Sequence, residues 1–295
     1  MVKFYPVVKL NEPSLLAVWK GQGFDCIVVR LQDVISLRTG KPNKTFYQIK
    51  ECGGVHNFLD FDGKIILSLI MKDELLPKFD EVRYSELINT LNPDLFTTVD
   101  AETYEHEFYT SKNEVKRSSI ETLKLIKLCP NSKPIGQVKG SSKKHLYSHI
   151  QLLKSIGITD FVFHVGDFFR NGSPNMISKA KDYSLFIKKH VDSLILYGMG
   201  CQKRLLEFSF ADAYVTFNHF VKAVNGKKYA GPCEYNYGGG YKPEVVKDNL
   251  TQIVKNMSKT NYQKKLIKGG VCPWEAVTEE KERAMLAQSA IMKEE

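Results

Sequence analysis

The chain has no paired cysteines. Its six cysteines, at positions 26, 52, 129, 201, 233 and 272, are scattered through 295 residues, and no two form a Cys-x-x-Cys or Cys-x-Cys pair. That spacing argues against a disulfide framework and against a zinc knuckle, so no metal is expected and a reducing cytoplasm fits best. The chain also lacks an apolar run near the roughly 20 residues of a membrane span, so no membrane partner is expected. Its N-terminus, MVKFYPVVKL, has no apolar stretch followed by a small-residue cleavage site, so no signal peptide is expected. Acidic residues are in deficit: 33 Asp and Glu face 42 Lys and Arg, for a formal charge of +9. A basic surface attracts polyanions.

What is present is an ordinary globular composition, 43% hydrophobic, over a length that suits one α/β barrel of roughly 250 residues. We expect a single domain spanning residues 1–295. FYPVV reads as an entry strand, followed by a short helix from Ser14 to Lys20, and CIVVR (Cys26 to Arg30) reads as a β-branched strand. In NFLDFDGKIILSLI, Asp62-Gly63 reads as a hairpin turn between two strands. Glu81 to Leu91 has helical apolar spacing and stops at Pro93. Asp94 to Asp100 then reads as a strand ending in a carboxylate. Lys112 to Leu128 and Lys143 to Ile156 are helices, the second capped by Gly157. Between them lies a strand ending in Gln137, Val138, Lys139 and Gly140. Asp160 to Gly166 is a strand whose His164 reads as a packed core residue, and Ile177 to His190 is the helix after it.

The stretch from Ser193 to Phe217 repeats the unit. Leu194 to Tyr197 is an apolar strand, Gly198 and Gly200 turn the chain, and a short amphipathic helix leads into Ala211 to Phe217. That last run carries one acid, Asp212, which either caps a strand entry or does chemistry. Strands near 94, 134, 160, 193 and 211, with helices between them, predict a parallel sheet with crossover helices. A (β/α)8 barrel is the expected fold, and such barrels place chemistry at the strand C-termini. Residues 225–243 hold five glycines and two prolines and read as an irregular loop. Val245 to Met257 and Glu275 to Met292 read as C-terminal helices. Lysines interleave with tyrosines here: Lys222, Lys227, Lys228 and Tyr229, then Tyr235, Tyr237, Tyr241 and Lys242. That pairing suits phosphates and unstacked bases.

Over residues 55–220, about half the chain, the order and spacing of several short segments resemble the tRNA-guanine transglycosylase family. LILYGMG (Leu194 to Gly200) is similar to the family's strand with a "YLMG-G" ending. The strand ending at Gln137 is similar to its "VQGG" turn, and Asp100 and Gly166 fall at its base-holding positions. Leu59-Asp60-Phe61-Asp62-Gly63 resembles a degenerate form of its first acidic turn. The residues after Asp212 look closer to DNA-acting phage relatives. The resemblance implies a pentosyltransferase that needs no cofactor. It would replace guanine in a polynucleotide, DNA or tRNA, with a 7-deazaguanine through a covalent glycosyl-enzyme. Asp212 would then be the nucleophile and Asp60 the acid/base. Asp100, Gln137, Gly140, Gly166, Gly198 and Gly200 would hold the base. The family's cluster of zinc-binding cysteines is missing from residues 225–243. The resemblance also allows a homo- or hetero-dimer, and a non-catalytic nucleic-acid-binding partner subunit is the alternative.

Overall fold

The computed structural model describes residues 3–268, apart from 17, 21, 105–106, 170–172, 200–201, 231–232 and 238–240. It begins with β1 (Lys3–Val8), β2 (Cys26–Arg30), α1 (Lys44–Glu51), α2 (Val55–Leu59) and β3 (Lys64–Ser68). Next come α3 (Glu81–Leu91), β4 (Leu95–Thr97), α4 (Phe108–Leu128), β5 (Lys133–Gln137) and α5 (Lys143–Ser155). Then follow β6 (Asp160–His164), α6 (Gly166–Phe169), α7 (Pro174–His190), β7 (Ser193–Tyr197), α8 (Gln202–Glu207) and β8 (Ala213–Thr216). The described part closes with α9 (Asn218–Val224), β9 (Lys227–Ala230), β10 (Cys233–Asn236) and α10 (Pro243–Lys268). β1 to β8 form a closed barrel in sequence order, every pairing parallel, and β8 returns to β1. The expected (β/α)8 barrel is therefore the fold.

Period-two alternation decides which side chains face the barrel axis. Val7, Cys26, Val28, Ile66, Ile135, Val162, Ile195, Tyr197, Ala213 and Val215 make one interior cluster. Their sequence neighbours, such as Ile27, Val29, Ile65, Phe161, Leu194 and Leu196, pack outward under the helices. Strands buried on both faces read as continuous apolar runs, which is why they were legible.

Several local expectations are corrected. NFLDF is not a strand of a hairpin: Gly54, with φ of 123°, starts the one-turn helix α2, and β3 follows it in parallel, not antiparallel, pairing with β2. The helix expected at Ser14 to Lys20 reduces to a 3-10 turn at Pro13–Leu15. The loop expected at 225–243 contains the antiparallel hairpin β9–β10. The helix expected at Glu275 to Met292 lies outside the described residues. No helix among the described residues is long and apolar enough to cross a membrane.

Candidate functional site

Parallel strands bring all eight C-terminal ends to one mouth. There several inward positions change from apolar to polar: Arg30, Ser68, Gln137 and His164 each end a strand, and Lys139 lies two residues beyond Gln137. β4 leads into Asp100, which is 3% exposed. Its Oδ1 accepts from the backbone N–H of Ala101 at 2.8 Å, from Nε2 of Gln137 at 2.8 Å and from Nζ of Lys139 at 2.7 Å. Its Oδ2 accepts from the backbone N–H of Met71 at 3.3 Å. A carboxylate only accepts, so the Gln137 amide must turn its NH₂ toward Asp100. Its other atom, Oε1, is then buried without a hydrogen-bond partner. Gln137 itself is held by its N–H, which donates to Oγ1 of Thr98 at 2.8 Å. The backbone N–H of Lys139 donates to Nδ1 of His149 on α5, at 3.0 Å. Burial pushes the His149 imidazole down to about 4, so it is neutral near pH 7.

Around the mouth, Arg30 closes β2. Its Nη2 donates to Oδ1 of Asp33 at 2.6 Å, and its guanidinium lies 4.1 Å from the centre of the Phe217 ring. Burial raises the Asp33 carboxyl, opposed by Arg30. Tyr197, ending β7, is buried opposite Ser68 of β3, and burial raises its phenol, opposed by Arg30 and Ser68. His164, ending β6, has Nδ1 3.3 Å from Oδ2 of Asp167 and its ring 5.4 Å from that of Tyr197. The chain after β6 touches the chain after β7 at Gly166 and Gly198. Gly198 has φ of 95°, and a Cβ there would lie 2.7 Å from the Cα of Gly166. Only glycine meets both the backbone angle and the close approach. Gly140 allows a similar approach, since a Cβ there would lie 2.8 Å from the backbone nitrogen of Leu146 on α5. Gly200 lies outside the described residues.

The two expected catalytic acids are elsewhere. Asp212 precedes β8, so it stands at the N-terminal end of the barrel, one strand length of roughly 15 Å from the mouth. Its Oδ2 accepts from the backbone N–H of Leu194 and from Nζ of Lys188, both at 2.7 Å. Asp60 ends α2, before β3, with φ of 49° and a side chain that is 90% exposed and paired with Lys20 at 3.0 Å. These two acids therefore do not form one site with Asp100 and Gln137. At the C-terminal end of β8 the chain instead presents Phe217, Asn218 and His219. Asp212→Asn is expected to cost about 1 kcal/mol, through a strand-start hydrogen bond and a half-exposed ion pair, and to leave any binding at the mouth unchanged. Denaturant midpoints and a binding titration on the same variant check this.

Arg30, Asp33, Ser68, Lys139, His149 and Tyr197 were not singled out from the sequence. The available signal was period-two spacing: Arg30 is two residues from inward Val28, and Lys139 two from Gln137. His164, read as a packed core residue, is 21% exposed at the mouth beside Asp167. The tyrosine-rich hairpin region is mostly packing. Tyr229 is buried, the Tyr237 hydroxyl donates to the backbone oxygen of Ala223 at 3.0 Å, and Lys228 pairs with Asp248 at 2.5 Å. Tyr235 and Tyr241 are the two exposed rings among the named tyrosines. Among the described residues, no cluster of three or more His, Cys, Asp or Glu is placed to hold a metal. No protein-family model matches this chain, and no curated protein matches it.

Proposed function

We propose that the C-terminal mouth recognises the amino-lactam edge of a guanine-class base, and that the chain acts as the base-recognising partner in a transglycosylase-type system. The observation that carries this is the buried, unpartnered Oε1 of Gln137 beside the carboxylate of Asp100. A buried acceptor left unpaired costs roughly 1–3 kcal/mol, so a ligand that donates to it is favoured by about that amount. Guanine and 7-deazaguanine offer adjacent donors, a ring N–H and an exocyclic NH₂, to such a pair of acceptors. Adenine lacks the ring N–H. The Gly166–Gly198 contact supports the reading, because it sets a side-chain-free backbone surface next to His164.

The recognition reading is preferred over covalent exchange because of where the acids stand. Exchange requires a carboxylate that reaches the sugar C1′ while the base is held. Asp212 and Asp60 stand at the other end of the barrel, Asp33 at the mouth is buried against Arg30, and Asp167 at the mouth is turned to His164. The formal charge of +9 suits a phosphodiester, with DNA slightly favoured over tRNA as the polymer. The test is incorporation of labelled guanine into duplex DNA and unmodified tRNA by this chain alone. The expected result is no incorporation, with polynucleotide binding that weakens steeply with salt. Incorporation that disappears in Asp212→Asn would overturn the recognition reading in favour of covalent exchange.

A further inference from the structure

The barrel interior is open at its N-terminal end. Tyr197 is buried and Arg30 lies against Phe217 in the upper interior, whereas the lowest inward positions include the small residues Cys26, Ser193 and Ala213. A cavity of about 570 Å³ results, with Lys3, Asp25, Lys64, Asp160 and Asp212 among its lining residues. Its walls are Leu95, Ile66, Ile135 and Ile195. That volume suits a small organic ligand.

The charges are distributed by strand. Lys3 and Lys64 come from β1 and β3, flanking Asp25 at the start of β2. Asp160 and Asp212 come from the starts of β6 and β8. Among the described residues, Lys3 and Lys64 form no ion pair with these acids. Asp25, Asp160 and Asp212 all act electrostatically on the inward Tyr5 phenol, and Lys3 and Lys64 on the Cys26 thiol, so the groups share one space. A simple anion would face three carboxylates there, and a simple cation two ammonium groups. An apolar ligand would desolvate Lys3, Lys64, Asp25 and Asp160 without partnering them, while Asp212 is already paired with Lys188.

We propose that this N-terminal cavity binds a linear zwitterion, with an acid at one end and an amine at the other. Its carboxylate pairs with Lys64 and its ammonium with Asp160. Its chain lies along the apolar wall that β4 and β5 supply between those residues, at Leu95 and Ile135. β3 and β6 are three ladder spacings apart, roughly 14 Å of arc. Less the reach of the two side chains, this leaves room for charges several bonds apart, as in an ω-amino acid or a dipeptide, and not for the adjacent charges of an α-amino acid. The site is independent of the base-binding mouth and does not rest on the reading given for it.

The test is calorimetric titration of the full chain with 6-aminohexanoate, using hexanoate and hexylammonium as singly charged controls. The expected result is saturable binding of 6-aminohexanoate, weakened roughly tenfold or more in Lys64→Met and in Asp160→Asn. Both positions are at the exposed rim, and two independent variants guard against misfolding of either one. Equal binding of the singly charged controls, no saturable binding of 6-aminohexanoate, or unchanged affinity in both variants would overturn the proposal.

Discussion

Acidification from pH 7 to pH 4 is expected to remove several kcal/mol of stability, most of it above the range where carboxylates titrate. The cause is two histidines buried as neutral rings. His149 lies wholly inside α5 against the backbone of Lys139, and His219 lies at the start of α9, hydrogen-bonded to the backbone of Val7. Burial pushes both down to about 4. The unfolded chain, with ordinary imidazoles, binds protons first as pH falls below about 6.5. Stability is therefore intact above about 6.5 and is lost as pH falls toward 4, by up to roughly 3 kcal/mol per histidine. Two such losses approach the whole stability of an ordinary domain. Urea midpoints measured at pH 7.5, 6, 5 and 4.5 check this. A flat profile across that window, or one unchanged when both histidines are replaced by glutamine, would contradict it.

Asp100→Ala is expected to be the most damaging single substitution at the mouth, costing about 3 kcal/mol. The change removes the counter-ion of Lys139, which is only 21% exposed, and strands the Gln137 amide and the N–H groups of Met71 and Ala101. Each of these is a buried donor losing its acceptor. Asp100→Asn keeps the shape and some of the acceptors, so it is expected to cost less. Pairing Asp100→Ala with Lys139→Met should recover part of the loss, because the second change removes the unpaired charge. Denaturant midpoints for the two single variants and the double variant form the cycle. Strict additivity would show that the pair is not coupled.

How much of this the sequence disclosed depends on the kind of residue. The strands from β4 to β8 were legible because strands buried on both faces read as apolar runs, broken by glycine or proline before the next helix. Asp212 stands at a strand entry, one of the two readings that the run Ala211 to Phe217 offered; its catalytic role came from the resemblance alone, and a strand entry lies at the opposite end of the barrel from the mouth. The strand begins at Ala213, and the acid before it caps the backbone of β7. NFLDF was read as a strand because Asp62-Gly63 lies between it and KIILSLI, but five residues are too few to separate a strand from one helical turn. Asp100 and Gln137 stand together as expected, since both follow strand ends. Their partner Lys139 was visible only as a residue two places further on. Tyr197 and Ser68 end opposite strands, and their nearness comes from barrel closure, which no local pattern encodes; the Arg30–Asp33 pair is local, three residues apart, and carried no pattern that set it apart from the chain's other charged pairs.

The central claim is that the Asp100–Gln137 pair reads a guanine-type edge. Calorimetric titration with 7-deazaguanine, and in parallel with 7-deazaadenine, tests it most directly. The claim predicts saturable binding of 7-deazaguanine and at least tenfold weaker binding of 7-deazaadenine. It also predicts loss of that preference in Gln137→Met, which fills the same space without the acceptor Oε1. Equal affinity for the two bases, or a preference that survives Gln137→Met in a protein that still folds, would contradict it.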